Sequence, residues 1–127
     1  MPAFALAHLH DVDFCQDIVT YLQRIDETLR PFGGRFRIHG AGAEVLEGSL
    51  QGDIVVIEFP DLDRARSWYR APAYQAILPL RTRHSRGFVV LLDGVDDAHR
   101  GTDILSAAAA WAGGAGPRRR ESRGRSP

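Results

Sequence analysis

The chain contains no lysine, so all 16 of its basic side chains are arginines. It has one cysteine, Cys15, which excludes an intrachain disulfide and any CxxC metal or redox motif. No stretch approaches about 18 uninterrupted apolar residues, and the first residues lack the charged and apolar regions of a secretory signal. We therefore expect a cytoplasmic protein that does not bind membranes.

The net charge is zero but is unevenly distributed along the chain. Residues 1–95 and 96–117 each carry a net charge of −2, whereas residues 118–127 carry +4. The mildly acidic main part lacks the basic patch of a nucleic-acid-binding domain, so we expect no nucleic-acid partner. A length of 127 residues suits one domain, which we place at 1–95. Residues 96–127 are predicted to be an extension with a possible short helix at 102–112 and a disordered arginine-rich tail.

Hydrophobic periodicity places strands and helices in a recognisable order. Strands are predicted at 4–10, 35–39, 53–59 and 88–93, with a possible short strand at 44–47. A long helix should follow Asp13 as its N-cap and end at the Gly33-Gly34 pair. A second helix, capped by Asp61, should be followed by a third that begins at Pro72 and is kinked by Pro79. The order β-α-β-β-α-β, with the second helix broken in two, predicts an α+β ferredoxin-like plait with an antiparallel sheet.

Two of the predicted strands are apolar on both faces. "DIVVIEF" (53–59) and "FVVLLD" (88–93) place apolar side chains at both odd and even positions. Strands of this composition are usually buried on both sides, yet helices in so small a chain cover one face of a sheet. A C₂ homodimer that buries the second face is the simplest solution, and we expect one.

Four colinear segments resemble a known family. They are "GGRF" (33–36), "LEG" (46–48), "VVIEFPDLDRARSWYRAPAYQAILPLR" (55–81) and "VVLLDG" (89–94). Together they resemble the domain-of-unknown-function family thirteen-thirty of the dimeric α+β barrel superfamily. The resemblance covers about residues 3–95 and implies a ferredoxin-like fold and a dimer. The chain departs from the family pattern at Ala71, where the family has Ser before the proline, and at Ala73, where an acid is frequent.

Glu58 and His8 are the candidate catalytic residues. A carboxylate on a strand between apolar neighbours would be partly desolvated, which suits a general base or acid. If the first and third strands are neighbours, His8 could approach Glu58 as an acid-base partner. The alternative is that Glu58 forms a structural ion pair with Arg37 or Arg81. His8, His10 and Glu58 as metal ligands are a weaker hypothesis, and we assign no metal.

Six further residues are candidates for binding a substrate. They are Tyr21, Arg37, Trp68, Tyr69, Tyr74 and Arg81. The aromatic side chains could line an apolar pocket, or could simply pack the core, which is the better interpretation for Trp68. Arg81 could bind a substrate carboxylate or enolate, or could form a salt bridge with Glu58 or Asp61.

These residues leave two classes of function open. One is a small cofactor-independent enzyme that applies acid-base chemistry to an apolar or aromatic metabolite, as an isomerase, lyase or oxygenase. The other is a non-catalytic dimer that binds a small molecule or serves in stress. A cavity that contains both Glu58 and His8 would favour the enzyme. An arginine that occupies Glu58, with no cavity beside it, would favour the binding protein. No cofactor is expected in either case.

Overall fold

The computed structural model describes residues 1–40 and 42–105. Residues 1–95 form one compact unit. Its strands are β1 (Ala3–His10), β2 (Arg35–His39), β3 (Asp53–Phe59) and β4 (Arg86–Asp93). Its helices are α1 (Gln16–Leu29), α2 (Leu62–Arg70) and α3 (Pro72–Thr82), and a short 3₁₀ turn, Arg30–Phe32, follows α1. Within the described part of the chain, no helix is both long and apolar enough to cross a membrane.

The four strands form one antiparallel sheet in the order β2-β3-β1-β4. The order of elements along the chain is β-α-β-β-α-α-β, so the predicted ferredoxin-like plait with a divided second helix is confirmed. In the centre of the sheet, Ala5 of β1 lies between Ile57 of β3 and Leu91 of β4. Successive residues of a strand point to opposite faces, so this register decides which side chains meet the helices.

The helices cover one face of the sheet and leave the other open. Ala3, Ala5, Ile57 and Phe59 point toward the helices and are buried. The open face is apolar but accessible, with Ile38, Phe88, Val90 and Leu92 all exposed. The apolar character of both strand faces, read from the sequence, is therefore present in the folded chain.

The start of α1 differs from the prediction. The helix begins at Gln16 with Cys15 as its N-cap, rather than after Asp13. The backbone N–H of Asp13 instead donates to the carbonyl of His84, 2.7 Å away, which ties the β1–α1 connection to the end of α3. Phe14 therefore precedes the helix and is 71% exposed.

The predicted end of α1 and the predicted starts of α2 and α3 are confirmed. Gly33, at φ 71°, ends the 3₁₀ turn after α1 in the left-handed conformation that glycine adopts without strain. The Asp61 carboxylate accepts a hydrogen bond from the N–H of Arg64 at 2.8 Å and caps α2. Pro72 starts α3, and the helix continues through Pro79 to Thr82.

Two predicted elements are not found as expected. Residues 42–52, which the structure describes in full, contain no strand, so the one predicted at 44–47 is wrong. In the C-terminal extension, a 3₁₀ turn spans Gly101–Asp103. Residues 106–112 of the predicted helix, and the arginine-rich tail, lie outside the described residues.

Candidate functional site

A cleft lies between the helices and the covered face of the sheet. It encloses about 100 Å³, several times the roughly 10–15 Å³ that one water molecule needs. Its floor includes Ala7 and Leu9 of β1, Val55 of β3 and Val89 of β4. Small side chains on the central strands leave this space, because Ala7 pairs directly with both Val55 and Val89. The pairing register of β1 with β3 and β4 therefore creates the cleft.

Two tyrosines supply polar groups to this apolar cleft. Tyr21 of α1 and Tyr74 of α3 line it, and their hydroxyl oxygens are 2.7 Å apart. Tyr74 is 2% exposed and Tyr21 6%. Burial, reinforced by the charge and hydrogen bonding of Tyr74, raises the pKa of Tyr21 well above its ordinary value of 10.0. One hydroxyl donates to the other, so the pair keeps one O–H for a further partner.

Arg81, in the last turn of α3, lines the same cleft. Its guanidinium carbon lies 5.7 Å from the centroid of the Tyr21 ring, a cation-π distance. Burial alone would lower the pKa of Arg81, but the neighbouring Tyr74 and Tyr21 outweigh it and raise that pKa. The salt bridge to Glu58 or Asp61, given above as the alternative to substrate binding, is not formed, and among the described residues no carboxylate lies within 4 Å of Arg81.

Trp68 closes the cleft and belongs to the core. It is 2% exposed, and its ring centroid lies 4.1 Å from that of Tyr74 and 5.3 Å from that of Phe59. Its indole N–H donates to the hydroxyl of Thr28 at 3.0 Å, so its polar atom is satisfied by the protein itself. Tyr69 is half-buried beside Trp68 and Tyr74, but it does not line the cleft.

Glu58 lies on the opposite, open face of the sheet. Its carboxylate accepts a hydrogen bond from Nε of Arg37 at 2.7 Å, and both side chains remain partly exposed. This is the ion pair given above as the alternative to catalysis. Neither Glu58 nor Arg37 lines the cleft that holds Tyr21, Tyr74 and Arg81.

His8 also lies on the open face but does not meet Glu58. β1 and β3 are neighbours, as the hypothesis required, yet His8 pairs with Ile54 while Glu58 pairs with Phe4. Four residues of strand separate the two positions, about 13 Å at 3.3 Å per residue. The His8 Nε2 forms a hydrogen bond with the carbonyl of Gln51 at 2.6 Å. The expected proximity of the pair within one chain is therefore wrong, and their catalytic roles stay predictions.

The distance between His8 and Glu58 also prevents His8, His10 and Glu58 from coordinating one metal ion. The His8 and His10 rings are 5.5 Å apart, and His10 bonds to Asp11 at 2.7 Å rather than turning toward a third ligand. Within residues 1–40 and 42–105, no group of three or more potential ligands is placed to hold a metal ion.

Sequence reasoning missed three contributors to this region. Thr28, seven residues after Tyr21, lies two turns further along the same helix face, and this spacing could have identified it as the partner of a buried aromatic. His39 is exposed, stacks on Phe36 at 4.1 Å and lines the rim of the cleft. Ser85 follows α3, lines the cleft and donates to the carbonyl of Arg81, a contact that no sequence pattern announces.

These features define a class of protein: a ferredoxin-like α+β domain with an apolar cleft under its helices and an uncovered apolar sheet face. The chain belongs to the family described as Domain of unknown function (DUF1330), whose model matches residues 2–95. The family resemblance seen in the sequence is therefore confirmed. No functionally curated protein matches the chain.

Solved structures agree with the fold at low sequence identity. The methylated RPA0582 protein matches with a TM-score of 0.60 at 14% identity, covering 77% of this chain and 84% of that one. The RPA0582 protein, described as of unknown function from Rhodopseudomonas palustris, also matches at 15% identity with a TM-score of 0.57, covering 75% and 83%. A dimeric ferredoxin-like protein of unknown function from Jannaschia sp. CCS1 matches at 14% identity with a TM-score of 0.59, covering 74% and 100%. At this identity the similarity establishes the fold alone.

Proposed function

We propose that this protein is a homodimer that binds a small, largely apolar molecule in the cleft between its helices and sheet. The observation that carries the proposal is the cleft itself, about 100 Å³ of space between apolar walls with a polar group at Tyr21, Tyr74 and Arg81. An apolar cavity with a few convergent polar groups is the usual form of a small-molecule site.

The geometry favours binding over the acid-base enzyme. Glu58, the expected base, is occupied by Arg37 on the open face, and neither it nor His8 lines the cleft. A general base must lie within hydrogen-bond reach of the proton it removes, and these two residues lie on the other side of the sheet. This arrangement supports the non-catalytic binding protein over the enzyme. The proposed function requires no cofactor.

The dimer part of the proposal rests on the open face. Phe88, Val90 and Leu92 are exposed side by side on β4, with Ile38 exposed on β2 at the far edge. A contiguous apolar sheet face is costly to leave in water, and a second copy presents a surface of matching shape and polarity. The Jannaschia protein is described as dimeric, which supports this arrangement. Sedimentation that shows only monomer at micromolar concentration would contradict it.

Filling the cleft tests the binding function. A panel of small aromatic and alicyclic compounds would be screened by ligand-observed NMR against the wild-type protein and Ala7→Phe. Ala7 is on the cleft floor, so the larger ring should occupy the ligand's space and abolish binding. Ala73→Phe adds the same ring at an exposed position of α3 and serves as the control. Binders that remain unaffected by Ala7→Phe would place the site elsewhere and overturn the proposal.

A further inference from the structure

Arg81 differs from the arginines that form ion pairs with acidic side chains. Arg37 pairs with Glu58, Arg64 with Asp61 and Arg66 with Asp63, all at accessible positions. Arg81 is half-buried at the cleft, and no carboxylate of the described residues lies within 4 Å of it. The Tyr21 and Tyr74 side chains interact with the Arg81 guanidinium, but no carboxylate of the described residues balances its charge, and an anion supplied from outside would do so.

The neighbours of Arg81 strengthen the preference for an anion. Arginine has five N–H donors and no acceptor, and the Tyr21–Tyr74 pair keeps one O–H beyond the bond that joins the two hydroxyls. Burial raises the pKa of Tyr21 above its ordinary 10.0, so the Tyr21 phenol stays protonated at neutral pH. The polar part of the cleft is therefore rich in donors, and its best partner is a group that only accepts hydrogen bonds.

The rest of the cleft defines the other part of the ligand. Ala7, Leu9, Val55 and Val89 form the floor, and Ile18 and Leu22 of α1 contribute to the wall. None of these side chains has a polar atom, so the body of the ligand must be apolar. The space of about 100 Å³ restricts that body to a single small ring or a short branched chain.

We propose that the ligand is a small apolar carboxylate, with its carboxylate bound by Arg81 and by the free hydroxyl of the Tyr21–Tyr74 pair. A carboxylate is planar and accepts two parallel N–H bonds from one guanidinium, which gives orientation as well as affinity. This inference rests on the proposed binding function and adds the chemical class of the ligand.

The test compares pairs of ligands with the same shape and different charge. Benzoate is measured against benzamide, and cyclohexanecarboxylate against its amide, by ligand-observed NMR titration at pH 7. We expect each carboxylate to bind at least tenfold more tightly than its amide. Arg81→Met keeps an apolar stem of similar length and should remove this difference, whereas Arg83→Met, at an exposed position two residues later, should preserve it.

Each outcome separates this inference from the proposed function. If the amides bind as tightly as the carboxylates, the anion inference is wrong while the binding function stands. If the preference for carboxylates persists in Arg81→Met, Arg81 does not bind the anion and the inference is again wrong. If neither member of either pair binds but other compounds of the panel do, the anion inference is wrong while the binding function stands; if no compound of the panel binds, the binding function is wrong as well. The thermal stability of the ligand-free Arg81→Met protein should match or exceed that of the wild type, and a marked loss would show that Arg81 is structural.

Discussion

The two faces of the sheet use polar side chains in opposite ways. On the covered face, polar atoms bond to one another inside the core: the Trp68 indole donates to Thr28, and the Tyr21 and Tyr74 hydroxyls pair. On the open face, polar side chains such as Glu58 bond at the surface among exposed apolar residues. Leaving a buried polar group unpaired costs about 1–3 kcal/mol, whereas a surface ion pair contributes about 0–1 kcal/mol. Polar side chains should therefore contribute much more to the stability of the fold on the covered face than on the open face.

The largest contrast should come from removing one aromatic side chain on each face. Trp68→Ala should lower the free energy of unfolding by about 3–5 kcal/mol, because Trp68 is 2% exposed and packs on Phe59 and Tyr74. Phe88→Ala, at a side chain 53% exposed, should cost less, and its cost should decrease on dilution because only the proposed dimer would cover it. Urea unfolding at two protein concentrations measures both. Equal losses that do not depend on concentration would remove the distinction between the faces.

A charge placed in the apolar row of β4 on the open face should disrupt the proposed dimer. Val90 pairs with Leu6 in the sheet and points to this face, so Val90→Arg should weaken self-association at least a hundredfold. That is about 2.7 kcal/mol, the order expected for an unpaired charge in an apolar contact. Sedimentation velocity measures the effect, and Ala76→Arg on the exposed side of α3 is the control. An unchanged sedimentation profile for Val90→Arg would exclude the open face as the interface.

Alkaline pH should weaken the fold through the covered face. Burial, with the contribution of Tyr74, raises the pKa of Tyr21 above its ordinary 10.0, so the unfolded chain loses this proton first as the pH rises. The stabilising contribution is therefore complete below pH 10 and is lost above it, at about 1.4 kcal/mol per pH unit. Urea unfolding between pH 8 and 11 should show this slope, and Tyr21→Phe should reduce it. An identical slope in the variant would assign the alkaline loss to other groups.

The smallest effect should come from the ion pair on the open face. Glu58→Gln should lower the free energy of unfolding by less than about 1 kcal/mol, since both partners of the Arg37–Glu58 pair are partly exposed. It should also leave benzoate binding unchanged, because Glu58 does not line the cleft. Calorimetric binding and urea unfolding of the same variant test both statements. A loss of benzoate affinity would connect the two faces and contradict their separation.

Much of the fold could be predicted because local signals agree with it. The Asp61 cap, the Pro72 start of α3 and the glycine after α1 each act on backbone within a few residues, and all three are where the sequence placed them. The start of α1 was misplaced because a tertiary bond competes with the local one: Asp13 bonds to His84, 71 residues away in the chain. The short strand predicted at 44–47 does not form, because these residues do not pair with a neighbouring strand.

The candidate site was harder to predict, because its residues meet only through the register of the sheet. Tyr21, Tyr74 and Arg81 were identified from the sequence, and the structure brings them to one cleft. Glu58 and His8 were grouped with them, yet strand alternation places both on the other face, and the antiparallel register moves His8 away from Glu58. Thr28 was missed because its importance depends on Trp68, 40 residues later in the chain.

By itself, the sequence determined the order of elements, the starts of α2 and α3, the family and the apolar character of both sheet faces, since these depend on composition and on residues a few positions apart. Only the tertiary structure decided which polar side chains share a site. A strand shifted by one residue would exchange its two faces, so the separation of Glu58 from Arg81 follows from long-range pairing that no local pattern encodes. That separation makes the helix-covered cleft, rather than the strand carboxylate, the place where a ligand is expected.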